Sequence, residues 1–281
     1  MKKILALVMA VVMLVGCVAA FSSCGGDKLV GFDIELAKAV SEKLGVDVEF
    51  KLINWNTKEA ELTSKTIDVI WNGMTITPER QEEMEVSIPY MNNKQVAVIR
   101  KTDKDLYKTT ADMANAIVGA EDGSAGMGCA VDESGNPKFG KSFSPIDSQM
   151  DVLVALNAKT IDVGIMDSVM AGYYMSKDTT YADSLMIVGD LTLATEQYGI
   201  AARKGSGLTK KINQALIDLA KDGTVDRIAE KYGLKSEICI DTTIVIEELT
   251  EAEKADWNYI VEQGKFIVGY TLFAPIAYEA E

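Results

Sequence analysis

The stretch "GMTITPER", residues 73–80, brings together groups able to hold a small anion. Gly73 lets a ligand approach the backbone, Thr75 offers a hydroxyl and an N–H, and Arg80 carries a planar fork that matches a carboxylate. A surface loop with a solvated arginine fits the same spacing. Further on, "IMDS" sets Asp167 just past the carboxyl end of a predicted strand, where open α/β sheets bind ligands and a carboxylate can receive an ammonium group. Asp167 as the N-cap of a helix starting at Val169 accounts for it equally. The run "DGSAGMG", residues 122–128, clusters backbone N–H groups at a predicted helix start and suits a carboxylate. It has neither a terminal Lys-Ser/Thr nor Gly-x-Gly-x-x-Gly, so it is weak as a nucleotide site, and a surface turn is the plain alternative. Trp55, between Asn54 and Asn56, reads as a pocket wall; Trp71 reads as core, and Phe273 and Tyr198 stand near loop edges.

Composition removes several chemistries. The 281 residues contain no His, which takes away the commonest metal ligand and the commonest general base. No Cys, His and carboxylate grouping has metal-site spacing, so neither a metal nor a cofactor is expected. Lys+Arg 28 against Asp+Glu 42 gives a formal net charge of -14, which disfavours nucleic acid and anionic lipid as partners. The length and a 48% apolar content suit one large or two ordinary globular domains.

The elements that must position these residues alternate. "IELAKAVSEKLG" has Ile34, Ala37, Val40 and Leu44 on one helical face, with Asp33 as its expected N-cap and Gly45 as its stop. "VDVEFKLI" alternates as a strand, "KEAELTSK" reads as a short helix, and "IDVIWNG" as a buried strand leading into Gly73. "QVAVIRK" is another strand, residues 132–144 form a polar surface stretch, "SQMDVLVALNAK" is a helix, and "IDVGIMDS" carries Asp167. Strands alternating with helices predict an α/β fold with parallel pairing, and the repeated Ile-Asp-Val unit at 67–69 and 161–163 suggests two lobes. "YGIAARKG" adds a strand, and two helices follow with stops at Gly223 and Gly233. Thr250 and Glu253 form a capping box that predicts a helix over 251–262, after an acidic linker.

The N-terminus, "MKKILALVMAVVMLVGCVAAFSSCGGD", is basic, then apolar, then small: an export signal over 1–23. Its apolar run is shorter than the roughly 20 residues a membrane span needs. It resembles a bacterial lipoprotein signal. Cys17 fits the usual letters better but leaves apolar 18–21 outside the anchor; Cys24 precedes a polar tether and is the preferred lipid site. Cys129 and Cys239 remain; export permits a disulfide, but separate buried thiols are the preferred reading.

Together "GFDIELAKAV", "IDVIWNGMTITPERQEEMEVSIPY", "IDVGIMDS", "QYGIAARKGS" and "DGTVDRIAEKYG" resemble the solute-binding proteins of amino-acid ABC transporters, family 3, with the type II periplasmic-binding-protein fold. The resemblance implies two α/β lobes closing like a flytrap, with two crossing strands near 90–94 and 195–198. One lobe would comprise 27–92 and 196–281, with 240–264 as linker, and the other 93–195. It also implies an amino acid whose α-carboxylate meets Arg80, Thr75 and the N–H groups of Ser124 and Ala125. The α-ammonium would meet Asp167 and the Gly73 carbonyl, between Trp55 and Phe273. Glu121 is then a candidate selectivity residue. The implied partners are ABC permease subunits and, through the lipid anchor, the outer face of the cytoplasmic membrane; the protein is expected to be monomeric and not an enzyme. A dehydratase-like enzyme on the same scaffold and an extracellular sensor domain are the alternatives.

In one respect the chain departs from the family. A strand of the type "KFIVGYTLFAPIAYE" opens family members, and here it occupies 265–279. The order reads as a circular permutation, which predicts that 266–269 pairs with 48–52 and 69–71, that Phe273 reaches the cleft, and that Glu281 lies near Asp27.

Overall fold

The computed structural model describes residues 28–177 and 179–280; Cys17, Cys24, Asp27 and Glu281 lie outside them. After the short β1 (Leu29–Val30) comes α1 (Phe32–Leu44), which buries Ile34, Ala37 and Val40 as its periodicity predicts. Gly45, at φ 69, ends it in a left-handed cap that returns its N–H to the carbonyls of Ser41 and Glu42. Then follow β2 (Asp47–Leu52), α2 (Lys58–Thr63), β3 (Val69–Thr75), α3 (Pro78–Glu83), β4 (Met84–Val86) and β5 (Met91–Arg100). Next are β6 (Ile117–Glu121), α4 (Ala125–Ala130), β7 (Ser142–Ile146), α5 (Gln149–Asn157), β8 (Val163–Asp167), α6 (Ser168–Lys177) and α7 (Thr179–Ser184). The long β9 (Leu185–Arg203), α8 (Gly207–Lys221), α9 (Thr224–Tyr232), α10 (Glu251–Gln263), β10 (Lys265–Tyr270) and β11 (Tyr278–Glu279) complete the chain.

The strands run in the order β2-β10-β3-β9-β5-β8-β6-β7, with β4 beside β9. In the first lobe, β10 lies between β2 and β3 and is parallel to both, with Phe266 opposite Val48, Val268 opposite Val69 and Gly269 opposite Ile70. Every residue of β3 is buried, as a strand covered on both faces should be. α1, α8, α9 and α10 pack together as this lobe's helical layer. In the second lobe, β6 is parallel to β7 and β8, and β5 is antiparallel to β8. β5 and β9 pair from Arg100–Leu185 to Met91–Tyr198 and run through both lobes as the crossing strands.

The placement of β10 agrees with the sequence expectation. Phe266 and Val268 are 0% and 1% exposed, and burying side chains of this size contributes roughly 1.5–3 kcal/mol each. β1 pairs antiparallel with β11, Leu29 opposite Glu279, and the Ala280 N–H donates to the Lys28 carbonyl at 2.7 Å. The expected neighbours Asp27 and Glu281 lie outside the described residues.

Two expectations are corrected. Asp33 does not cap α1: Gly31 is the cap, and Asp33 sits one residue inside the helix with its carboxylate turned into the core. Residues 132–144 are not all surface loop, because Ser142 begins β7. Among the described residues no helix is long and apolar enough to cross a membrane.

Candidate functional site

A space of about 380 Å³, counted out to solvent, lies between the lobes, lined from the first lobe by Trp55, Gly73, Thr75, Arg80 and Phe273 and from the second by Glu121, Ser124, Ala125 and Asp167. Every sequence-predicted ligand residue therefore borders one space. Asn72, Gln149, Thr271 and Leu272 border it too and were not anticipated.

Arg80 stands on α3, which Pro78 opens and the Thr77 hydroxyl caps by accepting the Arg80 N–H at 3.2 Å. Its guanidinium donates to two carbonyls: Thr75 at 2.7 Å within its own lobe, and Gly123 at 3.4 Å across the cleft. The group also lies over the Trp55 ring, 6.0 Å from the centroid. Burial disfavours the cation, while Glu59, Glu196 and Asp167 favour it; an arginine stays charged in such surroundings.

Asp167, 5% exposed, ends β8 and is held by neutral donors. Its Oδ1 accepts from the Tyr198 hydroxyl at 2.9 Å, from Gln95 Nε2 at 2.8 Å and from Asn93 Nδ2; its Oδ2 accepts from Gln149 Nε2. Glu196 shares the Asn93 and Gln95 amides, at 2.6 and 2.9 Å. Burial first, and then the Glu196 carboxylate, push the Asp167 carboxyl well above the usual range, against the Gln149 and Tyr198 hydrogen bonds. A ligand ammonium placed there would relieve both effects. Asp167 directly precedes α6, whose Val169 N–H donates to Asn93 Oδ1 at 3.3 Å.

Gly73 forms the floor at φ 61, and a Cβ there would lie 2.6 Å from Phe273 Cε1 and 3.1 Å from Tyr198 Cε2. Its N–H donates to Asp33 Oδ2 at 3.0 Å, and the Tyr90 hydroxyl donates to the same oxygen at 2.9 Å. Burial raises the Asp33 carboxyl to about 7 despite these two bonds. Asp33 thus anchors the strand beneath the cavity.

Glu121 ends β6 and faces the space at 6% exposure, its carboxyl raised by burial to about 7. Lys58, Gln149 and Arg80 oppose that shift. In the turn that follows, the Ser124 N–H donates to the Glu121 carbonyl at 3.2 Å, and Ser124 Oγ accepts from the Met127 N–H at 3.1 Å. In this structure the Ser124 N–H is used within the turn. Ala125 is the first residue of α4, where N–H groups have no intrahelical partner. Asn56 Nδ2 donates to Asp122 Oδ2 and ties the lobes together at this turn. Cys129 and Cys239 are free thiols.

A cleft between two α/β lobes, with an arginine on one side and buried carboxyls on the other, defines a receptor for a small zwitterion. The chain belongs to the bacterial extracellular solute-binding proteins, family 3, whose model matches residues 16–235. It is 31% identical over 220 residues to the L-cystine-binding protein TcyJ of Escherichia coli (strain K12), covering 77% of this chain and 79% of that one. It is 28% identical over 211 residues to the arginine-binding extracellular protein ArtP of Bacillus subtilis (strain 168), covering 74% and 79%. Among solved structures, an ancestral arginine-binding protein bound to arginine superposes with a TM-score of 0.65 at 36% identity, covering 74% of this chain and 90% of that one. The two-lobed periplasmic-binding-protein fold and an amino-acid-binding role follow from these relationships. β10 and β11 lie beyond the matched residues.

Proposed function

We propose that this protein captures a free α-amino acid outside the cell and delivers it to an ABC importer. The observation that carries the reading is the placement of Arg80 and Asp167 on opposite walls of one cavity. A buried zwitterion needs both charges paired, and these groups meet it together only when the lobes close. The α-carboxylate would take the Arg80 fork, released from its two carbonyl acceptors, with Thr75 and the Ala125 N–H beside it. Asp167 and the Gly73 carbonyl would hold the ammonium, with Trp55 and Phe273 flanking the ligand. Ligand then favours the closed state by differential binding, which a membrane partner can read.

Titration calorimetry against the twenty proteinogenic amino acids tests this, using wild type and Arg80→Ala. Binding of at least one amino acid that Arg80→Ala abolishes supports it; no binding by the wild type, or unaltered binding by the variant, overturns it.

The proposal includes a lipid anchor at Cys24, with Cys17 as the alternative, and lobes of 27–92 with 196–281 and of 93–195. The mass of the mature N-terminus would decide the anchor. It also includes the permuted chain order, supported by β10 lying between β2 and β3 and by the pairing of β1 with β11. A chain with residues 241–280 moved ahead of residue 28 should then fold and bind alike. No reacting acid–base pair is proposed, and the chain is read as a binder and not an enzyme.

A further inference from the structure

The cavity between Arg80 and Asp167 opens past Trp55, Glu121, Leu272 and Phe273 into a wider part of the cleft, about 1900 Å³ counted out to solvent. Glu121, Asp147 and Asp151 border this outer space together with the rings of Tyr173 and Tyr278, and no Lys or Arg appears among the described residues that line it. The rings of Tyr173 and Tyr278 come from different lobes and lie 5.8 Å apart, centroid to centroid. Ring faces and carboxylates without cations form a surface that favours positive charge.

Charge balance inside the cavity leads to the same result. Among the described residues its lining holds one cation, Arg80, and two carboxyls, Asp167 and Glu121. The α-carboxylate and α-ammonium of an amino acid match Arg80 and Asp167, and Glu121 is left over. Lys58 does not resolve this: its Nζ donates to the Trp55 carbonyl at 3.1 Å and pairs with Glu59 at 3.0 Å. Arg80 is directed to Thr75 and Gly123. A buried carboxylate without a cation is costly, so the site gains from a ligand that brings one. The same space is also lined by Asn72, whose Oδ1 is buried without a hydrogen-bond partner among the described residues.

Resting on the amino-acid reading above, we propose that the ligand is a basic α-amino acid whose extended cationic side chain passes Glu121 and enters the acidic, ring-lined outer cleft. Of the three similar proteins named above, two are arginine-binding and one is cystine-binding, so kinship alone does not choose the side chain. Glu121 does, by the charge it leaves unmatched.

The test is calorimetry on the mature chain with arginine, lysine, citrulline and glutamine. Citrulline has nearly the shape of arginine without its charge. Arginine or lysine should bind at least about tenfold more tightly than citrulline and glutamine, the value of one charge-assisted hydrogen bond. Glu121→Gln should erase that ratio, and Asp151→Asn, at the solvated rim, should lower it less. Thermal denaturation verifies that both variants fold.

The groups facing Glu121 are Lys58 on α2, Arg80 on α3, and Gln149 and Asp151 on α5. Its carboxyl, near 7 in this structure, must be ionised to meet a cation. The ratio of arginine to citrulline affinity should therefore fall as pH drops from about 8 to about 6. Asp167 titrates for both ligands and cancels from the ratio. Citrulline or glutamine binding as tightly as the basic amino acids, or a preference that survives in Glu121→Gln, overturns this proposal and leaves the amino-acid reading standing. Absence of binding by any amino acid overturns both.

Discussion

The two charged walls of the cleft are built differently. Arg80 projects from a short helix and donates to two backbone carbonyls, one in each lobe, each of which remains bonded to its own peptide whatever the side chain does. Asp167 is fixed by four side chains, and three of its donors, Asn93, Gln95 and Tyr198, stand on the crossing strands β5 and β9. The cationic wall can therefore exchange partners when a carboxylate arrives. The anionic wall is part of the hinge, and any change there disturbs the fold as well as the site.

Substitutions can break or sharpen this contrast. The largest effect should come from Asp167→Ala, which removes the group proposed to hold the ammonium and leaves several buried donors without an acceptor. Affinity should fall by more than about a hundredfold and stability by about 2–5 kcal/mol, read by calorimetry and chemical denaturation. Arg80→Ala should lower affinity by about thirtyfold or more, yet shift stability by less than about 1 kcal/mol. Arg80→Lys should recover little of it, since an ammonium cannot span both carboxylate oxygens. Equal stability losses at Arg80 and Asp167 would remove the contrast.

Smaller effects follow from the turn that joins the walls. A Cβ at Gly123, at φ 67, would sit 2.6 Å from Asn56 Oδ1, where the lobes touch. Gly123→Ala should thus impede closure and weaken binding by about tenfold, and Asn56→Ala in the same chain should recover part of the loss. The last effect concerns Asp33 and is read as a pH dependence. Its folded carboxyl, raised from 3.8 to about 7, makes a stabilising contribution that is fully present below about pH 4 and is lost as pH rises towards 7. Asp33→Asn keeps an acceptor for Gly73 and Tyr90, and denaturation curves should show a flatter pH dependence across that window.

Much of the cationic wall was legible in the sequence because its determinants are local: a buried strand leading into Gly73, then Thr75 and Arg80 within one short stretch; the helix that Thr77 and Pro78 open under Arg80 was not read. The capping box at Thr250 and Glu253 was legible for the same reason, and both of its hydrogen bonds are present. The surroundings of Asp167 were not. Asn93, Gln95 and Tyr198 lie 74, 72 and 31 residues away in sequence and meet it only because β5 pairs with both β8 and β9. β7 was missed because "SFSPI" is half polar and contains Pro145, a composition tolerated at a sheet edge, which is where β7 lies. Asp33 was misread since its position before an apolar run fits a cap; its partners, Gly73 and Tyr90, come from distant segments.

By itself the sequence determined the order and type of most of the elements, the strand that leads into the Arg80 segment, the strand end that carries Asp167, and the absence of histidine chemistry. Periodicity, capping and composition act within a few residues, so they can be read along the chain. The tertiary structure alone decided that Glu121 faces the cavity without a dedicated cation and that Asp167 is locked to the crossing strands. Those outcomes depend on which distant segments pair and on what burial does to a carboxyl, and neither is written in any short stretch of residues.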